Sequence, residues 1–259
     1  NELGPNFLFR ARGDGTYEEV AERAGVADPL ENGRGVALLD ANGDGRLDLV
    51  CGNWEGPHRL FIQGDRAGFI EAAPLMMAAP SRVRTVIAAD FDNDGFEEIF
   101  FNNMGEPNRL FGWREGGWRP IDLGAALEPS GLGTGAAVGD FDGDGRLELL
   151  IAHGEAAEQP LGYYEALDLG HAWLRVLPRT RRGAPARGAL VTLRAGGRRR
   201  LRVIDSGSGY LCQMEPVAHF GLGVLGAVEG VEVRWPDGAV AYVDAPPVRQ
   251  TIEVPHPAG

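Results

Sequence analysis

Nine residues, Asp40-Ala-Asn-Gly-Asp-Gly-Arg-Leu-Asp48, return as Asp90-Phe-Asp-Asn-Asp-Gly-Phe-Glu-Glu98 and again as Asp140-Phe-Asp-Gly-Asp-Gly-Arg-Leu-Glu148. The three starts are 50 residues apart, and the flanks repeat with them. Val36-Ala-Leu-Leu39, Val86-Ile-Ala-Ala89 and Ala136-Ala-Val-Gly139 lead into the acidic loops. Leu49-Val-Cys-Gly-Asn53, Ile99-Phe-Phe-Asn-Asn103 and Leu149-Leu-Ile-Ala-His153 lead out of them, and His58-Arg-Leu-Phe61 matches Asn108-Arg-Leu-Phe111. A fixed period of this length marks a duplicated supersecondary unit that stacks on its neighbours.

Each unit reads as a small antiparallel sheet. The apolar runs on either side of the loop make two strands, and Arg-Leu-Phe with the segments around Phe69 and Trp118 makes two more. Gly56-Pro57 and Pro107 punctuate the junctions. Four strands in about 50 residues is one β-propeller blade. Phe7-Leu-Phe9 and Tyr17-Glu-Glu-Val20 read as the outer two strands of an earlier blade. Three and a half blades fall short of the usual ring of roughly 4–8. The expected fold is therefore all-β: an open arc or unusually small propeller over residues 1–168, then a small β-sandwich or barrel over 169–259. Alternation in Leu190-Val-Thr-Leu193, Leu201-Arg-Val-Ile204, Val231-Glu-Val-Arg-Trp235 and Thr251-Ile-Glu-Val254 points to that second unit.

The loops suit calcium, a hard cation that takes 6–8 oxygens at roughly 2.3–2.6 Å. In D-x-[DN]-x-D-G-x-x-[DE], side chains at positions 1, 3 and 5 converge: Asp40, Asn42 and Asp44; Asp90, Asp92 and Asp94; Asp140, Asp142 and Asp144. Glycine at position 6 permits a turn that a β-carbon would hinder. The carbonyl at position 7, of Arg46, Phe96 or Arg146, is expected to point inward, and Asp48, Glu98 or Glu148 at position 9 closes the shell. An EF-hand would close at position 12 between helices, so these are strand-loop-strand sites. Three Ca²⁺ ions are expected, with the first loop weakest because Asn42 stands where the others have Asp. Magnesium tolerates crowded carboxylate cages poorly, and no His or Cys grouping suits zinc. Plain Asp-Gly turns are the competing reading. Three loops in register, each concentrating carboxylates that would otherwise repel, favour the cation.

Composition narrows the remaining classes. With 44% hydrophobic and 24% charged residues, the chain is globular rather than disordered. No apolar run approaches the ~20 residues of a membrane span. The net charge of −12 argues against nucleic-acid partners. All 25 basic residues are Arg, which reads as a GC-rich coding bias. Ten of those arginines, and no Asp or Glu, lie between Leu169 and Ile204. They read either as packing on the acidic repeats and solvating strand faces, or as a surface for a polyanion such as an acidic polysaccharide. Cys51 and Cys212, the only cysteines, are either one long-range disulfide or two buried thiols. The opening Asn1 suggests a processed or excised segment.

The loops resemble the FG-GAP (VCBS) repeats of integrin α-chain propellers. Gly33-Arg-Gly-Val-Ala37, Gly52-Asn-Trp-Glu-Gly-Pro-His-Arg-Leu-Phe61 and Val83-Arg-Thr-Val-Ile-Ala-Ala-Asp-Phe-Asp-Asn-Asp94 extend the likeness. So do Pro178-Arg-Thr-Arg-Arg-Gly-Ala-Pro-Ala-Arg-Gly188, the stretch from Ser206 to Gly223 and Val231-Glu-Val-Arg-Trp-Pro-Asp-Gly238. Together they are similar to the cartilage acidic protein family, in which such repeats precede an ASPIC/UnbV domain. That resemblance implies an extracellular protein with matrix or neuronal partners and brings no catalytic residues. The chain departs from the family in carrying no EGF module.

Other motifs are set aside. Arg12-Gly13-Asp14 spells an integrin-recognition tripeptide but sits in a Gly-Asp-Gly turn. His219, in an apolar stretch, reads as a structural histidine, and His153 as a hydrogen-bonding substitute for Asn53 and Asn103. Ser206 and Ser208 lack the register of a nucleophile elbow. The expected function is a non-catalytic, secreted or periplasmic calcium-binding interaction module with a protein or glycan partner. A glycan binder using Trp54, Trp113 and Trp118 is the alternative, and a polysaccharide-active enzyme is a more distant one. Exposed blade edges also invite a homo-oligomer.

Overall fold

The computed structural model describes residues 1–65, 68–155, 157–205, 210 and 212–259. Two strands, β1 (Phe9–Ala11) and β2 (Tyr17–Glu19), form an antiparallel ribbon. A single helical turn, α1 (Ala21–Ala24), packs Ala21 and Ala24 into a small core with Val20, Val26 and Phe61. Four-stranded meanders follow. The first is β3 (Gly33–Leu39), β4 (Asp48–Asn53), β5 (Arg59–Gln63) and β6 (Phe69–Glu71). After α2 (Leu75–Ala78) comes the second: β7 (Val83–Ala89), β8 (Glu98–Asn103), β9 (Arg109–Arg114) and β10 (Gly117–Ile121).

The third sheet has β11 (Gly133–Gly139), β12 (Glu148–His153) and β13 (Gly162–Tyr164) and no fourth strand among the described residues. This differs from the four strands expected of every unit. Past Tyr164 the alternation stops, Leu167 and Leu169 stand exposed, and Asp168 caps the Gly170 amide at 2.8 Å. The chain has left the blade.

The 50-residue repeat is reproduced down to irregularities. Each inner strand carries a register shift near its start, at Gly33/Val36, Val83/Thr85 and Gly133/Gly135. In each, the acid that closes the loop pairs with the last residue of the inner strand: Leu39↔Asp48, Ala89↔Glu98 and Gly139↔Glu148. The inner strands stack side by side, β7 lying between β3 and β11. Gly35 and Gly52 allow this approach, since a Cβ on either would run into Val83 or Val86 of the next blade. β8, covered on both faces, is accordingly a continuous apolar run with Ile99, Phe100 and Phe101 wholly buried. Thus the first part of the chain is a partial β-propeller.

A β-sandwich completes the all-β fold. One sheet is β17 (Ala218–Gly223), β14 (Ala172–Pro178) and β20 (Gln250–Val254), the last pairing parallel to β14. The other is β16 (Arg198–Val203), β15 (Leu190–Ala195), β18 (Gly230–Arg234) and β19 (Val240–Asp244). Between them lie Leu174, Val176, Val191, Leu193, Phe220, Val233 and Trp235. Cys51 and Cys212 form no disulfide, which decides that question for two thiols; burial pushes the Cys51 thiol up to about 12. No helix among the described residues is long and apolar enough to cross a membrane.

Candidate metal centre

All three acidic loops join an inner strand to its neighbour and share one backbone plan. The closing acid accepts the amide of position 2: Ala41 to Asp48 at 2.8 Å, Phe91 to Glu98 at 3.0 Å and Phe141 to Glu148 at 2.7 Å. The amide of position 7 reaches the carboxylate of position 5: Arg46 to Asp44 at 2.9 Å, Phe96 to Asp94 and Arg146 to Asp144 both at 2.8 Å. The amide of position 5 reaches position 3, whether Asn42, Asp92 or Asp142. At position 6, Gly45, Gly95 and Gly145 take φ of +83°, +99° and +84°, the left-handed region in which a β-carbon is costly.

The carboxylates converge unequally. One oxygen from each of Asp90, Asp92 and Asp94 lies within 4.8 Å of the others, and the same holds for Asp140, Asp142 and Glu148. Oxygens roughly 2.3–2.6 Å from a common Ca²⁺ are separated by up to about 5 Å, so both groups fit such an ion. In loop two, Glu98 stands just outside, linked through Arg114, which also contacts Asp92 and Asp94. In loop three, Asp144 is turned to Arg146. Loop one forms no such group among the described residues: both oxygens of Asp48 are engaged, by Ala41 and by Gln63.

Two atoms stand out. Asp90 is 1% exposed and the Asp140 side chain also 1%, yet Oδ1 of each has no hydrogen-bond partner among the described residues. A buried carboxylate oxygen left without a donor is expensive, and a cation is the partner that would relieve it. Burial pushes the Asp90 carboxyl up to about 7, Arg202 opposing and Asp94 and Asp92 adding to it. Glu98 rises well above the usual carboxylate range through burial and then the charges of Asp90, Asp92 and Asp94. Asp40, Asp48, Asp94 and Glu148 are also raised, chiefly by burial, whereas the Arg146 hydrogen bond lowers Asp144.

The sandwich touches loops two and three directly, in addition to the contact of β16 with β3. The Gly221 amide donates to Asp90 Oδ2 at 2.9 Å and the Gly223 amide to the Asn93 carbonyl at 2.7 Å. His219 Nε2 meets Asn93 Oδ1 at 2.6 Å, and burial pushes that imidazole down to about 3. Arg198, Arg200 and Arg202 alternate along β16 and face loop two. Arg198 lies over the Phe96 ring at 5.8 Å, Arg200 against Gly95, and Arg202 pairs with Glu97 at 3.1 Å. On loop three, Arg175 donates to Asp140 Oδ2 at 3.0 Å, and the Trp173 indole fills the space a Cβ on Gly145 would need. Nothing lies within 4 Å of such a Cβ on Gly45.

The family description "FG-GAP-like repeat" matches residues 40–101 and 90–151, and "ASPIC and UnbV" matches residues 179–259. Cartilage acidic protein 1 of Homo sapiens is 54% identical over 254 residues, covering 92% of this chain and 38% of the human protein. The proteins of that name from Xenopus tropicalis and Mus musculus are 52% and 50% identical, over 93% and 99% of this chain and 39% and 42% of their own lengths. The chain belongs to the cartilage acidic protein family. It spans about two fifths of the length of these relatives. Within the family's two matched segments, the FG-GAP part holds the acidic loops and the ASPIC/UnbV part holds Arg200, Arg202, His219 and Gly221. Arg175 and Trp173 lie between the two.

The remaining motifs are structural in their surroundings. The expectation that arginines pack on the repeats holds for Arg175, Arg200 and Arg202, although Arg194 and Arg199 stay exposed. Asp14 of the Arg-Gly-Asp tripeptide accepts the amide and hydroxyl of Thr16 in a turn. His153 bonds the Pro160 carbonyl as Asn53 and Asn103 bond those of Pro57 and Pro107. Trp118 is core with Trp113 edge-on to it, and Trp54 lies under Arg84 at 4.4 Å. Ser206 and Ser208 lie outside the described residues. Sequence reasoning missed Asn93 and Gly221, and foresaw arginines packing on the repeats without naming which of them form the comb. Only the two-residue spacing of Arg198, Arg200 and Arg202, a strand period, signalled a shared face.

Proposed function

We propose that this chain is an extracellular, non-catalytic calcium-binding module, with repeats over 1–168 and an ASPIC/UnbV domain over 169–259, that presents a rigid surface to a protein or glycan partner. Three Ca²⁺ ions bind the loops at 40–48, 90–98 and 140–148. Side chains at positions 1, 3, 5 and 9 and the carbonyls of Arg46, Phe96 and Arg146 supply the oxygens. The observation that carries this reading is the pair of buried, undonated oxygens, Asp90 Oδ1 and Asp140 Oδ1, each beside two further convergent carboxylates. Relatives named as cartilage proteins support an extracellular setting, where calcium is abundant enough for loops of this type.

The test is thermal unfolding after EDTA treatment, with Ca²⁺ or Mg²⁺ restored separately, alongside calorimetric titration. Saturation at 100 times the dissociation constant adds roughly 2.7 kcal/mol per site. A Ca²⁺-selective rise with three ions per chain is expected. No rise, or an equal rise with Mg²⁺, overturns the reading.

A further inference from the structure

Resting on that reading, we infer that the sandwich sheet β17-β14-β20 is part of the second and third calcium sites, gripping one oxygen of each position-1 aspartate so that the other is presented to the ion. Asp90 uses Oδ2 for the amides of Gly95, at 3.0 Å, and Gly221, at 2.9 Å, while Oδ1 stays undonated. Asp140 divides its oxygens the same way, with Arg175 on Oδ2 and Oδ1 undonated. A carboxylate held through one oxygen is oriented before the ion arrives, and losing a partner of this kind typically costs about 10–100-fold in metal affinity. Asp40 is different: its oxygens accept only the loop's own amides, Asp44 at 3.0 Å and Gly45 at 2.9 Å, among the described residues.

Asn93 locks the three parts together. Its backbone is left-handed, φ +57°, where loops one and three have Gly43 and Gly143 at +74° and +81°. Asparagine tolerates that region but glycine suits it better, so the side chain must be useful there. Nδ2 donates to the Gly145 carbonyl of loop three at 2.9 Å, and Oδ1 accepts from His219 of the sandwich. Gly221 is pressed onto this residue so closely that a Cβ would strike the Asn93 backbone. One side chain therefore couples loop two, loop three and the sandwich. By linkage, calcium at these loops tightens the grip of the sandwich as much as the sandwich tightens calcium.

Asn93→Gly isolates this device, because it removes no ligand and no charge and restores the residue that loops one and three carry. Calcium titrations of the wild type, Asn93→Gly and Asp40→Asn would be compared, with amide hydrogen exchange across β17. In the wild type two sites bind more tightly than the third, and Asp40→Asn deletes the weak one. Asn93→Gly should weaken the two tight sites about tenfold, leave the weak one unchanged, and remove most of the calcium-dependent protection of β17. If the wild type binds no calcium, the underlying reading fails. If it binds three ions and Asn93→Gly binds them with unchanged or higher affinity, the coupling alone is wrong. Gly221→Ala, which wedges the sandwich off loop two, provides the second variant with the same expected direction.

Discussion

Gly45 and Gly145 occupy the same loop position with nearly the same backbone, φ +83° and +84°, which makes them a matched pair. Alanine at either pays the left-handed penalty, about 1–2 kcal/mol. At Gly45 that is the whole cost, because the space around a Cβ is open. At Gly145 the added methyl also collides with Trp173, itself buried on the face of β14 away from the sandwich core. Overpacking a closed interface costs about 1–3 kcal/mol more. Gly145→Ala should therefore lose about 2–5 kcal/mol against about 1–2 for Gly45→Ala. In a chain of this size that gap lowers Tm by a further 2–4 °C or so per kcal/mol. Scanning calorimetry in EDTA reads the difference without any contribution from metal. Shortening the indole with Trp173→Leu should make Gly145→Ala less costly than in the wild type, a non-additivity expected only of touching groups. Equal losses at Gly45 and Gly145 would refute the claim that Trp173 is packed on Gly145 while the space beside Gly45 is open.

Calcium should release protons on binding near neutral pH, since Asp90 sits at about 7 and Glu98 well above its usual range; titration in buffers of different ionisation enthalpy measures this. The same raised carboxyls favour the metal-free fold below their unfolded values, near 4, and that contribution is lost as pH rises through their folded values, about 7 for Asp90 and higher than its usual range for Glu98. A metal-free chain that gained stability from these groups over that window would contradict the burial argument. His58 works in the opposite direction: burial, then Arg109, pushes it down to about 3, so its contribution is complete above about 6.5 and drains as pH falls. His58→Asn, which copies Asn108 of the next blade, should fold normally at about pH 7.5 and show a shallower loss of urea midpoint by about pH 5.

Much of the fold was legible because duplication prints local geometry three times. A turn needing left-handed glycine at Gly45, Gly95 and Gly145, with an acid three residues on, leaves one solution for the backbone, and the apolar flanks choose strands on either side. That the third blade has three strands among the described residues was not legible, because the chain departs toward the sandwich after Tyr164 and no local pattern announces a departure. The docking of β17 on loop two was hidden for a similar reason. Gly221 and Asp90 are 131 residues apart, and a glycine amide carries no side-chain signature. What the sequence did display, in hindsight of the physics, is where identical units differ. Loop one keeps Gly43 and Asn42, meets no sandwich residue at Gly45, and gathers no carboxylate triad among the described residues. Loop two replaces the small residue with Asn93, and that side chain hydrogen-bonds both the sandwich and loop three. Repeats held to one backbone by turn chemistry are free to vary only at positions the turn does not use. A costly residue such as left-handed Asn93 is retained there because a contact from outside the repeat rewards it.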